Sequence, residues 1–403
     1  MVKIILVLGL IAFASSNILE RREMSTRFLN IISQSTSFFA SDLYQQLRNR
    51  DDDNGNLVLS PLSLSLLLSS LNVGSRGLTS REITSALRLT GLNEDDILQG
   101  YSELIKTLNG ESGFTLRSAN AIYVDSGFRI KPSFTDVMKT YFQSEPRRIQ
   151  FSDTSAAAAK INQWVARETN NKIKELVTQK DLRQDTVMIL LNAIYFNAEW
   201  EKPFDSQRTE RKYFTTLQNR SVPAEFMHHD GELRFGIVKQ LEAEAVAIPY
   251  KDSRAHFVVL LPKNPADFNS FEEKLRGYDL TSIMPTLDLA PIALELPKIS
   301  LKSKIDFLNE DVLKRLGIKS FYQDGSIPDF TGITDEYRNL ILSGVLQRAC
   351  IDVTEHGTEA SAASTAGIVN KIIHRPFTVN RPFVGFIHDS NTNSILFMVR
   401  KVA

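Results

Sequence analysis

Hydrophobic spacing predicts helices in the first half of the chain. Ser60 followed by Pro61 is typical of the N-cap and first turn of a helix, and this helix should end at Gly74. Residues 79–82, Thr-Ser-Arg-Glu, have the spacing of a capping box, so the next helix should begin there. A further helix should bury one face, because apolar side chains recur at helical spacing at Ala157, Ile161, Trp164 and Val165.

Apolar runs predict strands along the whole chain. Residues 187–196 are almost continuously apolar, which is typical of a strand buried on both faces. Residues 383–387 and 395–399 flank a polar segment and predict a hairpin. Other strands are expected at 57–59, 255–261 and 349–353. Because these strands and the helices do not alternate strictly, the pattern predicts an α+β fold.

A tract of small residues follows the strand at 349–353. Residues 355–368 read Glu-His-Gly-Thr-Glu-Ala-Ser-Ala-Ala-Ser-Thr-Ala-Gly-Ile. In an extended chain, small uncharged side chains would share one face at Thr358, Ala360, Ala362 and Ser364. Such a tract could be a flexible linker, but only about 30 residues of apolar, strand-like sequence follow it, too few for an independent domain. We therefore predict a long exposed loop within one domain, and such loops are usually functional.

Composition narrows the class of protein. The 403 residues include 47 basic and 47 acidic side chains, so no net charge would attract nucleic acid or an anionic membrane. The hydrophobic content of 42% is enough for one large core. Cys350 is the one cysteine, which excludes an internal disulfide. It could be a reactive thiol, but a small buried hydrophobic side chain is the favoured interpretation.

The first 16 residues have the pattern of a secretory signal peptide. Lys3 precedes an apolar run at 4–13, and three small residues follow it. We expect cleavage within a few residues of Ser16 and a secreted protein in which residues 17–403 form a single domain. The run is too short to span a membrane. In a secreted chain, the sequon at Asn219 is a candidate glycosylation site.

Candidate catalytic and binding residues are few. His228-His229-Asp230 could suggest a metal site, but adjacent residues in an extended chain point in opposite directions, so a solvated turn running into Gly231 is favoured. The chain lacks the Gly-x-Ser-x-Gly and His-Glu-x-x-His motifs, and we expect neither an enzyme nor a cofactor. Short basic clusters at 147–148 and 208–212 are interpreted as solvated charge, with weak binding of a heparin-type polyanion as the alternative.

Four segments in order resemble the serpins, the suicide inhibitors of serine proteases. They are the tract at 355–364; residues 56–63, Asn-Leu-Val-Leu-Ser-Pro-Leu-Ser; residues 192–200, Asn-Ala-Ile-Tyr-Phe-Asn-Ala-Glu-Trp; and residues 380–383, Asn-Arg-Pro-Phe. The resemblance implies three β-sheets, surrounding helices and an exposed reactive loop at about 355–376. It also implies a loop hinge, whose residues are Glu355, Gly357, Thr358, Glu359, Ala360, Ser361, Ala362 and Ala363.

The resemblance also implies a covalent complex between a monomer and a serine protease. Trypsin-like proteases cut after a basic side chain. Arg375 precedes a proline, and His374 is mostly neutral at pH 7. Lys371–Ile372 is therefore the favoured reactive bond, and the family's spacing from Glu355 ends at the same lysine.

Entry of the loop would require the main sheet to open at a sheet gate, which the resemblance assigns to Ser60, Ser63, Asn192, Trp200 and Gln347. The chain departs from the family pattern at three positions. Gln347 replaces the usual gate histidine, His356 replaces a more usual charged residue, and Gly385 lies where the family is usually apolar.

Two functions are compatible with this resemblance. The first is inhibition of secreted trypsin-like proteases, and the second is a non-inhibitory role as a carrier or storage protein. Non-inhibitory members tend to have bulky, charged or proline residues in the hinge. The small residues at 358–364 therefore favour the inhibitor.

Overall fold

The computed structural model describes residues 26–50, 52–110, 114–322, 327–336, 340–358 and 374–403. The predicted signal peptide and the predicted reactive bond lie outside these ranges. The helices are α1 (residues 26–47), α2 (Pro61–Val73), α3 (Gly77–Ala86), α4 (Glu94–Asn109), α5 (Pro132–Phe142), α6 (Thr154–Glu168), α7 (Phe268–Lys274) and α8 (Val312–Arg315).

The strands confirm the α+β class. They are β1 (Leu57–Leu59), β2 (Phe114–Asp125), β3 (Arg147–Ile149), β4 (Met188–Glu199), β5 (Glu210–Thr215), β6 (Ser221–Val238), β7 (Ala243–Pro249), β8 (Ala255–Pro262), β9 (Asp288–Pro297), β10 (Ile299–Asp306), β11 (Leu342–Thr354), β12 (Gly357–Thr358), β13 (Arg375–Thr378), β14 (Phe383–Asp389) and β15 (Ser394–Lys401). The predicted strands at 187–196 and 255–261 and the hairpin near the C-terminus are all present.

A six-stranded sheet carries the site. Its strand order among the described residues is β10-β11-β12-β4-β2-β3. Along most of their length, β4 and β11 pair directly with each other and run parallel. At their carboxyl ends the two-residue strand β12 lies between them and is antiparallel to both.

The second sheet contains nine of the described strands. Its order is β1-β15-β14-β8-β7-β6-β9-β13, and β5 pairs with β6 beside this path. The 18-residue strand β6 pairs with β5 and β9 over most of its length and with β7 at its carboxyl end. Two of the three expected sheets are therefore joined by hydrogen bonds through this one long strand.

Two hydrophobic cores lie on opposite faces of the six-stranded sheet. The larger joins this sheet to the nine-stranded sheet and to helices α1–α5. The smaller lies beneath α6, where Trp164 packs edge-on against Tyr123, as expected of a core residue. Cys350 belongs to this core, and burial raises the pKa of its thiol. Both observations favour a buried hydrophobic role over a reactive thiol.

Two local predictions were wrong. Helix α3 begins at Gly77 rather than at residue 79, because Thr79 and Glu82 accept hydrogen bonds from the distant backbone N–H groups of Asp329 and Ser320, at 3.0 and 2.8 Å. Residues 228–230 lie inside β6 and are not a turn. Pairing with β9 stabilises this extended segment, which sequence spacing alone did not indicate.

Gly385, the unusual glycine of the sequence analysis, is accommodated by a neighbouring ring. A Cβ atom at this position would lie 3.0 Å from Cζ of Phe257. The phenyl ring therefore occupies the space of the missing side chain.

In the described ranges no helix is both long and apolar enough to cross a membrane.

Candidate functional site

The candidate site begins where β11 turns back toward the sheet. Glu355 and His356 form the turn, and Gly357 and Thr358 then enter the gap between β4 and β11 as strand β12. Thr358 lies opposite Ala198 of β4 and Val353 of β11. The start of the predicted exposed loop is therefore already part of the sheet in the intact chain.

Thr358 is fully buried, with a relative exposure of 0%. Its hydroxyl group lies 2.8 Å from the hydroxyl group of Tyr250, and burial raises the pKa of this tyrosine. The Tyr250 ring stacks on Trp200 at 4.3 Å between centroids. Trp200 in turn donates its indole N–H to the carbonyl oxygen of Thr354, at 2.8 Å. The stacked pair of Trp200 and Tyr250 thus makes a hydrogen bond to the residue on each side of the turn, Thr354 before it and Thr358 after it.

Gly357 is the residue that allows this entry. Its φ angle is 144°, and a Cβ atom would lie 2.0 Å from the carbonyl oxygen of Ala198. Real side chains do not approach a backbone oxygen so closely. Glycine is therefore required by both the backbone conformation and the available space.

Glu355 fixes the turn before the hinge strand. Its carboxylate accepts hydrogen bonds from the Thr209 hydroxyl at 2.7 Å and from the Lys298 ammonium at 2.9 Å. Burial alone would raise the pKa of Glu355, but these two donors together lower it. Its backbone carbonyl accepts a hydrogen bond from the N–H of Phe204. The carboxylate is therefore ionised near neutral pH. It links the turn to Lys298, which lies between β9 and β10, and to Thr209, which lies just before β5.

The sheet gate lies lower in the same gap. Gln347 accepts from the Ser60 N–H at 2.9 Å and donates to the carbonyl of Ser60 at 2.9 Å. The same amide donates to Oδ1 of Asn192 at 2.8 Å. Gln347 and Asn192 also lie directly opposite each other on β11 and β4. This one side chain therefore joins both strands of the gap to the N-terminus of α2.

The network extends beyond the two central strands. Ser60 donates to the carbonyl of Leu396 at 2.7 Å, and the Ser63 and Ser118 hydroxyls lie 3.3 Å apart. Asn192 also donates to Asn120 on β2 at 2.6 Å. The predicted gate residues Ser60, Ser63, Asn192 and Gln347 are thus brought together. Trp200 is not part of this cluster and lies at the hinge.

Several residues at the site were missed by sequence reasoning. Tyr250, Thr209 and Lys298 contact the hinge, and Asn120 and Ser118 extend the gate. Each is brought to the site by strand pairing over a long sequence distance, and nothing in its local sequence marks it. The hinge residues Glu359, Ala360, Ser361, Ala362 and Ala363 and the predicted reactive bond Lys371–Ile372 lie outside the described residues.

The other candidate residues are placed as follows. Arg208 pairs with Asp230, and Lys212 pairs with Glu210 and Glu295, so acidic partners neutralise much of this basic cluster. Within the described residues, no group of His, Cys, Asp or Glu is arranged to hold a metal ion.

Asn219 is exposed in the turn between β5 and β6, with a positive φ of 57°. Its position leaves the sequon accessible.

Comparison with known proteins gives consistent results. The family model described as Serpin (serine protease inhibitor) matches residues 34–403. Serine protease inhibitor 42Dd of Drosophila melanogaster is 32% identical over 368 residues, which are 90% of this chain and 95% of that protein.

Two solved structures are similar over almost their whole length. Serpin48 of the insect Tenebrio molitor has a TM-score of 0.82 at 29% identity, covering 93% of this chain and 98% of that one. Human thyroxine-binding globulin, solved as a complex with thyroxine, has a TM-score of 0.84 at 27% identity. This similarity covers 93% of the present chain and 99% of the globulin.

Proposed function

The chain belongs to the serpin family, and from that premise we propose that it is a secreted suicide-substrate inhibitor of trypsin-like serine proteases. The protease would attack Lys371–Ile372 and form an acyl-enzyme, and the freed loop would then enter the six-stranded sheet. The observation that carries this proposal is the hinge strand β12, which already lies between β4 and β11.

The pairing register of β12 defines where an inserted loop would end. Thr358 lies opposite Ala198, so continued antiparallel pairing keeps the sum of the two residue numbers at 358 + 198 = 556. Met188, the first residue of β4, would then face Ile368 (556 − 188 = 368). For pairing with β11, where Thr358 lies opposite Val353, the sum is 358 + 353 = 711. Leu342, the first residue of β11, would therefore face Val369 (711 − 342 = 369).

Both neighbouring strands therefore begin opposite the end of the same small-residue tract. A strand from residue 357 to residue 369 would fill the gap, and Lys371 would follow two residues later. This agreement supports Lys371 as the site of attack. A protease attached there would be carried along the sheet by almost the full length of the inserted strand.

The same register places Ser364 at the gate. It would lie opposite both Asn192 and Gln347, because 556 − 192 = 364 and 711 − 347 = 364. Its side chain would face the same side as Thr358 and these two amides. The Ser364 hydroxyl could then bond the Gln347 and Asn192 side chains after the strands separate. Insertion would consequently break their 2.8 Å hydrogen bond without leaving either amide unpaired.

Insertion also changes the type of pairing. It would replace one parallel pair, β4 with β11, by two antiparallel pairs. Antiparallel pairing is slightly more stable per residue, and each added hydrogen bond contributes about 1 kcal/mol net. The intact fold is therefore metastable, and inhibition is a race between loop insertion and hydrolysis of the acyl-enzyme.

The alternative function is that of a carrier or storage protein. Thyroxine-binding globulin, a structure similar to this one, was solved with a bound small molecule. The continuous small-residue tract and the matched register favour insertion, since bulky or charged residues in this tract would oppose it.

The reactive bond can be tested with two substitutions in the loop. We expect Lys371→Ala to abolish inhibition of trypsin, whereas Arg375→Ala, a matched loss of a nearby basic side chain, should leave the rate constant of inhibition within about twofold of wild type, since Arg375 pairs with Glu244 at an exposed site. The measurement is the second-order rate constant for inhibition of trypsin. Full inhibition by Lys371→Ala would move the reactive bond to another residue.

A further inference from the structure

The outer edge of β2 is unpaired over much of its length. One edge of this strand pairs with β4 from Phe114 to Val124. On the other edge, β3 pairs only with residues 123–125. Thr115–Ala121 therefore present backbone N–H and C=O groups with no strand beside them in the described part of the chain. Such an edge is a template for another extended chain.

A cavity of about 880 Å³ lies along this open edge. All seven consecutive residues from Leu116 to Ile122 line it. Successive residues of a strand point to opposite faces, so a cavity that touches every one of them must lie at the strand edge. Its apolar floor is formed by Leu66 and Leu108 with Met138 and Phe142. The volume is in the range of ligand-binding pockets.

The unneutralised charge at this cavity is positive. Its two carboxylates are already paired, Glu145 with Lys139 at 3.1 Å and Glu168 with Arg167 at 2.9 Å. Arg117, which is exposed on β2, makes no hydrogen bond or ion pair with any described residue. Arg147, on β3, stacks over the Trp164 ring at 5.1 Å and has no carboxylate partner among the described residues. Two arginines without acidic partners therefore lie beside the cavity.

The two arginines lie toward opposite ends of the open edge. Arg147 is opposite Tyr123, which is six residues beyond Arg117 along β2. At about 3.3 Å per residue, their positions differ by about 20 Å. The buried indole N–H of Trp164, beneath Arg147, also lacks an acceptor in the described structure. An acidic group at each end of an extended segment would complement this arrangement.

We propose that this edge binds an extended, acidic peptide segment of a partner protein by β-strand addition. The backbone of the segment would pair with Thr115–Ala121, its apolar side chains would contact the cavity floor on one face, and acidic side chains at its two ends would reach Arg117 and Arg147 on the other face. An apolar small molecule fits less well, because it would leave the edge N–H and C=O groups without partners. The cavity lies on the other side of β2 from the gap between β4 and β11, although Ser63, Ser118 and Asn120 of the gate network also line it.

The test uses the full-length protein and a capped heptapeptide probe, acetyl-Glu-Val-Thr-Val-Thr-Val-Glu-amide, in which the valines and the glutamates point to opposite faces of the extended chain. We expect calorimetry to show saturable binding with a Kd below about 1 mM. Amide hydrogen exchange across 115–121 should be slower when the peptide is bound. The same peptide with alternate backbone nitrogens methylated on its pairing edge should not bind, because it cannot donate to the strand. A version with Lys in place of both Glu residues should bind more weakly.

Substitutions in the protein separate charge recognition from folding. Arg117→Ser and Arg147→Ser should each weaken binding of the probe about two- to fivefold, whereas Arg81→Ser, an exposed arginine on α3 away from the cavity, should not. Inhibition of trypsin by Arg117→Ser should match wild type, so failure of either proposal can be recognised independently.

Three outcomes would overturn the inference: no binding of the acidic probe, undiminished binding of the methylated peptide, or protection elsewhere than at 115–121. Since exchange is measured on the wild-type protein, the result does not depend on the variants folding.

Discussion

At the scale of single residues, the site depends on small groups that fit and bond in one arrangement. Gly357 fits because no Cβ atom could lie beside the Ala198 carbonyl, and Thr358 is bonded to Tyr250. Gln347 replaces the histidine expected from the family and makes three buried hydrogen bonds with Ser60 and Asn192. Because an amide does not titrate, this gate should hold equally well at pH 6 and pH 8.

Removing the Gln347 amide tests the importance of the gate. Gln347→Leu would leave the Ser60 N–H, the Ser60 carbonyl and the Asn192 amide oxygen without these partners. Since each unsatisfied buried group costs about 1–3 kcal/mol, we expect the free energy of unfolding to fall by about 3 kcal/mol or more. Urea unfolding measures this quantity.

The exposed Gln150 provides the matched control for this substitution. Gln150→Leu should change the free energy of unfolding by less than about 0.5 kcal/mol. Equal effects of the two substitutions would show that the gate hydrogen bonds contribute little to stability.

At the scale of elements, the two-residue strand β12 links the hinge to the proposed mechanism. Thr358→Arg would place a guanidinium group in a fully buried position next to Tyr250, where no acidic partner lies in the described structure. Burial of an unpaired charge costs several kcal/mol, so the hinge should leave the sheet and insertion should slow. We expect the number of inhibitor molecules consumed per protease inhibited to rise about tenfold or more.

Thr358→Val is the control for this effect, because it keeps the volume of the side chain and removes only the hydroxyl group. Its stoichiometry should stay close to that of wild type. The stoichiometry is measured by titrating a fixed amount of trypsin with each variant. An unchanged value for Thr358→Arg would mean that residue 358 does not enter the sheet during inhibition.

A second prediction at this scale concerns the buried histidines of β8 and β14. His256 and His388 lie opposite each other, and burial lowers the pKa of both, that of His256 from 6.5 to about 4. Arg234 also lowers the pKa of His256, whereas Glu201 raises it. Since these two histidines bind protons more readily in the unfolded chain, their contribution to stability is constant above about pH 6.5 and falls as the pH drops toward 4.

Replacement of His256 should reduce this acid sensitivity. The pKa shift of His256 corresponds to about 2–4 kcal/mol lost between pH 6.5 and 4, and His256→Gln should remove a loss of this size. Unfolding in urea at several pH values provides the test, with His374→Gln as a control at a residue outside this buried pair. If the free energy of unfolding of His256→Gln fell as steeply with pH as that of the wild type, other groups would be responsible for the acid sensitivity.

Sequence reasoning succeeded for elements whose pattern reflects their own burial. The apolar run of β4 and the two apolar runs of the hairpin β14 and β15 needed no distant information. It failed where a distant segment decides the outcome. Helix α3 starts before Thr79 because that side chain bonds to Asp329, and the early entry of Thr358 depends on a gap between two strands about 150 residues apart.

At the scale of the whole molecule, the fold has a sheet that can accept one more strand. Direct pairing of β4 with β11 and the gate around Gln347 keep the gap closed below β12. In the proposed mechanism the small-residue tract fills this gap after cleavage. In this account the intact protein is less stable than its cleaved form, and the difference drives the proposed trapping of the protease.

The reaction with trypsin tests this central claim most directly. Intact-mass spectrometry of an equimolar mixture should detect one covalent species, trypsin joined to the chain that ends at Lys371, and a released peptide of 32 residues beginning at Ile372 (403 − 372 + 1 = 32). The account would be contradicted if the chain were cleaved after Lys371 while all the trypsin remained free and active.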